Sequence, residues 1–202
     1  MKIVFYSLVF LFTFSFTIQN SFAAETTGDI SLLLNYDTGS KASVADMSLK
    51  IYKDSEKTPL KEIQLQSNPI SITGLPLNHK YKIEAYFKDL YQGVDYYDLK
   101  QTKNDFVFKV KSPGGIKVDV FYNDSETPIN NVDVIVKTMS GKIVSQDKTD
   151  LNGHTVILWI PQTFNDEFYN VDVVIDQSIK FLYNKLQIRS YDPQDIKIVT
   201  PW

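Results

Sequence analysis

Gly28-Asp29-Ile30-Ser31-Leu32-Leu33-Leu34-Asn35-Tyr36 and Gly114-Gly115-Ile116-Lys117-Val118-Asp119-Val120-Phe121-Tyr122 carry the same pattern within one chain. Ile30, Leu32 and Leu34 in the first stretch match Ile116, Val118 and Val120 in the second. A period of two puts such residues on one face of a β-strand. Working outward, Val44 to Ile51 falls on Ile129 to Val136 after a one-residue adjustment. Tyr81, Ile83, Ala85 and Phe87 fall on Tyr169, Val171, Val173 and Ile175, and Asp105 to Phe108 on Asp195 to Ile198. Four strands recur in one order, which is the mark of a tandem repeat.

Further alternating runs lie between these anchors, such as Ile63 to Leu65 and Ile70 to Ile72, then Lys142 to Val144 and Thr155 to Ile160. Each half therefore holds roughly six to eight short strands. Turn-forming residues separate them at Asp37 to Ser40, Asn68-Pro69, Gly74 to Pro76, Asp124 to Pro128, Ser140-Gly141 and Asn152-Gly153. Asn-Gly suits a two-residue hairpin with positive φ at both positions. No stretch has sustained helical periodicity. The pattern predicts an all-β chain of two tandem Ig-like or transthyretin-like antiparallel β-sandwich domains. Their boundary is expected at Ser112-Pro113-Gly114-Gly115, giving residues 24–112 and 113–202. Trp159, inside the apolar run from Val156 to Ile160, is expected in the core, and Trp202 either packs on the second domain or is exposed.

Residues 1–23 read as a secretory signal: Lys2, an apolar run from Ile3 to Ile18, and small Ser21 and Ala23 before a cleavage point. The alternative is an uncleaved anchor, but a spanning helix needs about 20 apolar residues. The run is shorter and is diluted by Ser7, Thr13, Ser15 and Thr17. Loss of Lys2 moves the formal net charge from −3 to −4. Residues 24–112 hold 12 lysines against 12 acids, and 113–202 hold 8 basic residues against 12 acids. That balance lacks the clustered positive field nucleic acid requires. The chain has no cysteine, so core packing must hold each domain without disulfides or thiol chemistry.

The segment Asp124 to Val136, followed by Thr149-Asp150-Leu151-Asn152-Gly153, resembles the carboxypeptidase regulatory-like domains of transthyretin-type fold. In the first half, Ile70-Ser71-Ile72-Thr73-Gly74-Leu75-Pro76 and Tyr81-Lys82-Ile83 are similar to a segment of fibronectin type III and collagen-adhesin B-type domains. The first half lacks the Thr-Asp-x-Asn-Gly hairpin. The resemblance implies a non-catalytic adhesive, accessory or spacing role, although folds of this kind host many functions.

The inventory for catalysis is thin, and no catalytic residue or cofactor is expected. His79 and His154 fall at non-equivalent points of the repeat and read as solvated loop residues, with metal ligation or base chemistry as the alternative. Asp147, Asp150 and Asn152 offer oxygens for Ca²⁺, but the same residues suit a hairpin turn and the full cation-binding loop pattern is absent. Tyr91, Tyr96 and Tyr97 offer flat rings beside acids, as a glycan-binding surface would; alternation would equally turn half of them inward. Asn123 begins an Asn-Asp-Ser glycosylation sequon in an expected turn. A Lys–Asn isopeptide bond starting at Lys117 is disfavoured, because residues 195–200 contain no Asn.

The expected function is a secreted or cell-surface, non-enzymatic binding and spacing protein whose partner is a surface protein or a glycan. The alternatives are a carbohydrate-binding accessory, a subunit of a surface assembly joined by strand addition at sheet edges, and, least favoured, a small secreted hydrolase or metal enzyme.

Overall fold

The computed structural model describes residues 25–164 and 167–201. The expected signal at 1–23 and Trp202 lie outside the described residues. The first seven strands are β1 (Thr27–Tyr36), β2 (Met47–Lys53), β3 (Lys61–Gln64), β4 (Ile70–Pro76), β5 (His79–Phe87), β6 (Leu90–Leu99) and β7 (Lys103–Val110). Seven more follow: β8 (Gly114–Phe121), β9 (Asp133–Thr138), β10 (Ile143–Lys148), β11 (Leu158–Ile160), β12 (Tyr169–Ile175), β13 (Ser178–Leu186) and β14 (Gln194–Val199).

Each strand has its counterpart seven places later. Sheets β4-β1-β7 and β3-β2-β5-β6 build one sandwich, and β11-β8-β14 and β10-β9-β12-β13 build the other in the same order. The chain is all-β, and its four sheets form two sandwiches. Even the register repeats: Leu32 stands opposite Phe106 as Val118 does opposite Ile196, and Ile51 opposite Ile83 as Val136 does opposite Val171.

One pairing in each half departs from an antiparallel plan, because β1 runs parallel to β7 and β8 parallel to β14. Adjacent strands of a hairpin must be antiparallel, whereas the first and last strands of each half meet only after the chain has crossed between layers. Nothing in local patterning carries that direction.

Alternation does account for the cores. In β1, Gly28, Ile30, Leu32 and Leu34 are buried while Thr27, Asp29 and Ser31 are exposed. Ile30, Leu32, Leu49, Ile83 and Phe108 centre one apolar cluster; Ile116, Val118, Val134, Val171 and Ile198 centre the other. Each such side chain contributes about 1.5–3 kcal/mol on full burial. Just before the first residue of β4, Asn68 substitutes for a strand: its side chain accepts from Leu34 N (2.9 Å) and donates to Leu34 O (2.7 Å) and Ala42 O (2.9 Å).

Trp159 is not in the core, contrary to the reading of its run. It is 36% exposed, with Val156 at 68% and Ile157 at 42%. β11 is only three residues long, so Leu158 and Ile160 face inward and Trp159 between them must face out. The Asn152-Gly153 turn also differs from expectation. Of the two, only Gly153 has positive φ (76°), and Asp150 O accepts from Gly153 N (3.0 Å), so the turn begins at Asp150.

A buried tyrosine occupies the same place in each half. Tyr81 Oη donates to Pro76 O (2.7 Å) and Tyr169 Oη to Pro161 O (2.9 Å). Burial pushes the Tyr81 phenol from 10.0 up to about 12, and raises Tyr169 as well. A folded-state pKa above the unfolded one stabilises the fold fully below the unfolded value. The Tyr81 contribution is therefore complete below pH 10 and disappears as pH rises from 10 to about 12. Absorbance at the phenolate band and far-ultraviolet dichroism, followed together through alkaline titration, should show Tyr81 ionising with loss of sheet. In Tyr81→Phe the alkaline unfolding of the first sandwich should begin at higher pH.

Candidate functional site

Lys88 and Asp89 join β5 to β6, and both have positive φ (51° and 58°), the geometry of a tight two-residue hairpin. The tip of that hairpin reaches the other sandwich. Lys88 Nζ donates to Val144 O (2.8 Å) on β10 and to Trp159 O (3.2 Å) on β11. In return Lys142 Nζ donates to Lys88 O (2.7 Å) and pairs with Asp89 Oδ2 (2.9 Å). Leu90 packs on the second core, and the Tyr91 ring lies 5.5 Å from that of Phe164. Burial holds the Lys88 ammonium below its ordinary pKa, with Asp46 acting in the opposite direction. A cation half withdrawn from water needs acceptors, and two strand carbonyls supply them.

The linker is tied down as well. Asp37 Oδ1 accepts from Ser112 N (3.1 Å) and Ser112 Oγ (2.7 Å), and Lys111 Nζ lies 3.4 Å from Asp37 Oδ2. Burial pushes the Asp37 carboxyl up, but Ser112 and Lys111 outweigh it and leave it below its ordinary value. Between linker and hairpin opens a cleft of about 450 Å³ bordered by Tyr36, Phe87, Trp159 and Tyr191.

The three tyrosines singled out in sequence do not form one surface. Tyr91 (39% exposed) and Tyr96 (53%) face outward. Tyr97 turns towards the core, its hydroxyl donating to Asn104 Oδ1 (3.0 Å) and its ring 4.9 Å from Phe106. Adjacent residues of a strand point to opposite faces, so Tyr96 and Tyr97 cannot both be outside. Tyr52, buried beneath Lys82, and half-buried Tyr86 lie near them. Those rings are already engaged: Lys82 Nζ sits 3.9 Å over Tyr52, Lys80 Nζ 5.0 Å over Tyr96, and Tyr86 Oη donates to Glu84 Oε2 (2.7 Å). Burial raises Glu84, yet Tyr86, Lys82 and Tyr52 together hold it below its ordinary range.

Asp150 Oδ1 accepts from Asn152 N (2.8 Å) and His154 N (2.9 Å), while Asp147 Oδ2 accepts from Val156 N (3.0 Å). Those backbone bonds, led by His154, keep the Asp150 carboxyl low. Among the described residues, no group of three or more His, Asp or Glu side chains is placed to hold a metal ion. His79 Nδ1 is 2.7 Å from Asp54 and Nε2 3.4 Å from Glu25; His154 Nδ1 is 2.6 Å from Asp119. The histidines thus sit in separate sandwiches, each paired with carboxylates. Asn123 is exposed next to the turn that Asp124 organises by accepting from Glu126 N and Thr127 N.

No family model matches the chain. No curated protein matches it either. Solved structures do match. The shaft pilin SpaA of Lactobacillus rhamnosus GG aligns at 10% identity over 88% of this chain and 99% of its own, with a TM-score of 0.42. A C-terminal fragment of the pilus adhesin SpaC from the same organism aligns at 10% identity over 87% and 97%, with a TM-score of 0.32. The Bacillus anthracis TIE protein aligns at 14% identity over 87% of this chain, with a TM-score of 0.37; the match spans 33% of that protein's length. At such identities, function has to be argued from this chain's own residues.

Sequence reasoning passed over Lys88, Lys142 and Tyr191. The one available signal was Lys88-Asp89 between two apolar residues at a hairpin position, and neither residue is a common choice there.

Proposed function

We propose that this protein is a non-enzymatic, exported module of the cell surface or extracellular space, which binds and spaces its partners with two sandwiches held as one stiff unit. The domain boundary is placed at Ser112-Pro113. The reading rests chiefly on the exchange of lysines across the junction, in which Lys88 and Lys142 each reach main-chain carbonyls of the other sandwich. A hydrogen bond from a charged donor shielded from water, as in the part-buried Lys88–Val144 bond, is worth about 1.5–3 kcal/mol, and an exposed pair such as Lys142–Asp89 about 0–1 kcal/mol. The four bonds across the junction oppose the swinging that a short linker alone would permit, and the Ser112–Asp37 tie fixes the start of that linker to the first sandwich. Support for a non-enzymatic role comes from the absence of cysteine and from two histidines separated between the sandwiches.

Small-angle X-ray scattering should fit the native protein with a single orientation of the sandwiches. Lys88→Ala combined with Lys142→Ala should raise the radius of gyration and broaden the distance distribution. A native profile that demands many orientations would overturn the spacer reading. Hydrolytic activity lost on His79→Ala or His154→Ala would overturn the non-enzymatic one.

A further inference from the structure

We infer that the cleft at the junction is a binding site for a neutral sugar, with Trp159 as its platform. Trp159 and Tyr191 stack with centroids 5.4 Å apart at 27°, yet stay 36% and 48% exposed. Both come from the second sandwich, while Tyr36 and Phe87 of the first close the opposite side of the 450 Å³ space. Clefts between domains with aromatic walls and a few polar groups are common ligand sites. Exposed rings beside Ile157 (42%) make a patch of the sort soluble proteins rarely leave without a role.

The polar groups narrow the ligand. Ser43, Asp46 and Ser145 line the cleft, and among the described residues their side chains, the Trp159 indole N–H and the Tyr191 hydroxyl have no hydrogen-bond partner. A pyranose ring presents a C–H face to an aromatic plane and hydroxyls around its rim, which matches an apolar platform edged by free donors and acceptors. Charge decides against an acidic ligand. Lys88, the lining cation, is committed to the carbonyls of Val144 and Trp159, whereas the Asp46 carboxylate is exposed. A ligand carboxylate would meet the Asp46 carboxylate, and the Lys88 ammonium that faces Asp46 is already engaged by it and by the two carbonyls.

The same bond that docks the sandwiches fixes the platform, because Lys88 Nζ grips the Trp159 carbonyl. The site therefore rests on the docked junction, and the two can fail separately: a protein that is stiff by scattering but binds no sugar refutes the site alone.

Isothermal calorimetry on the purified protein, with neutral hexasaccharides of glucose, xylose and mannose as probes, tests the site. At least one should bind saturably, and an oligogalacturonate of equal length should bind at least tenfold more weakly. Trp159→Ala and Tyr191→Ala should each weaken binding at least tenfold, while Tyr96→Ala on the outer face should stay within twofold. Ser145→Ala, a small change in the same cleft, reads the site should either ring variant fail to fold. No saturable binding by any neutral probe, tighter binding of the acidic one, or Trp159→Ala within twofold of the native protein would each overturn the inference.

Discussion

Phe108→Ala should destabilise the first sandwich by about 4 kcal/mol, as expected for emptying a buried aromatic site. Phe108 lies in β7, 1% exposed, opposite Leu34 in the parallel pair and 6.4 Å from the Phe106 ring. It is among the largest fully buried side chains of the chain. For a domain of this size each kcal/mol moves the melting temperature by about 4–8 °C, so a fall of roughly 20 °C should appear in calorimetry. Val107→Ala is the control. Val107 is 50% exposed on the other face of the same strand, and its loss should stay within about 0.5 kcal/mol. The second sandwich has its own apolar cluster, so its transition should hardly move. Both transitions falling together would mean that the docked junction couples the two sandwiches into one cooperative unit.

Gly114→Val should act on the other half. A Cβ at Gly114 would stand 2.0 Å from Ile188 Cγ2 and 2.7 Å from Ser190 O. The side chain of Ile188 is fully buried and Ser190 O is main chain, so neither can yield without moving the segment that leads into β14. Overpacking of this kind costs about 1–3 kcal/mol, and the upper end is expected here. Gly28, at the equivalent place in the repeat, faces the same obstacle, with Gln101 O at 2.6 Å. Gly141→Ala is the contrast: its φ of 89° is strained for alanine, but no atom lies within 4 Å. That variant should cost about 1–2 kcal/mol. A Gly114→Val protein whose second transition is unchanged would show that the crossing of the β14 segment over β8 is looser than the geometry implies.

The paired glycines bear on how much the sequence revealed. Gly28 and Gly114 align in the repeat, and comparison of the two halves located both as strand starts. It could not say why glycine stands there, since the obstacles come from residues 49 to 76 positions away. The tyrosine patch was half legible for a similar reason. Alternation correctly allowed that some rings face inward, but which ones depended on the phase of β6 and on the irregular register between Ala85 and Tyr86.

By itself, then, the sequence determined the all-β class, the order and inward faces of the four strands matched between the halves, and the doubling of the fold, because a period of two and turn chemistry act over a few residues. Tertiary structure alone decided the parallel closure of β1 on β7 and of β8 on β14, the outward turn of Trp159, and the junction where Lys88 reaches carbonyls 56 and 71 residues away. Main-chain carbonyls accept a hydrogen bond whatever side chain they carry, so such partners leave no trace in residue identity until the chain has folded.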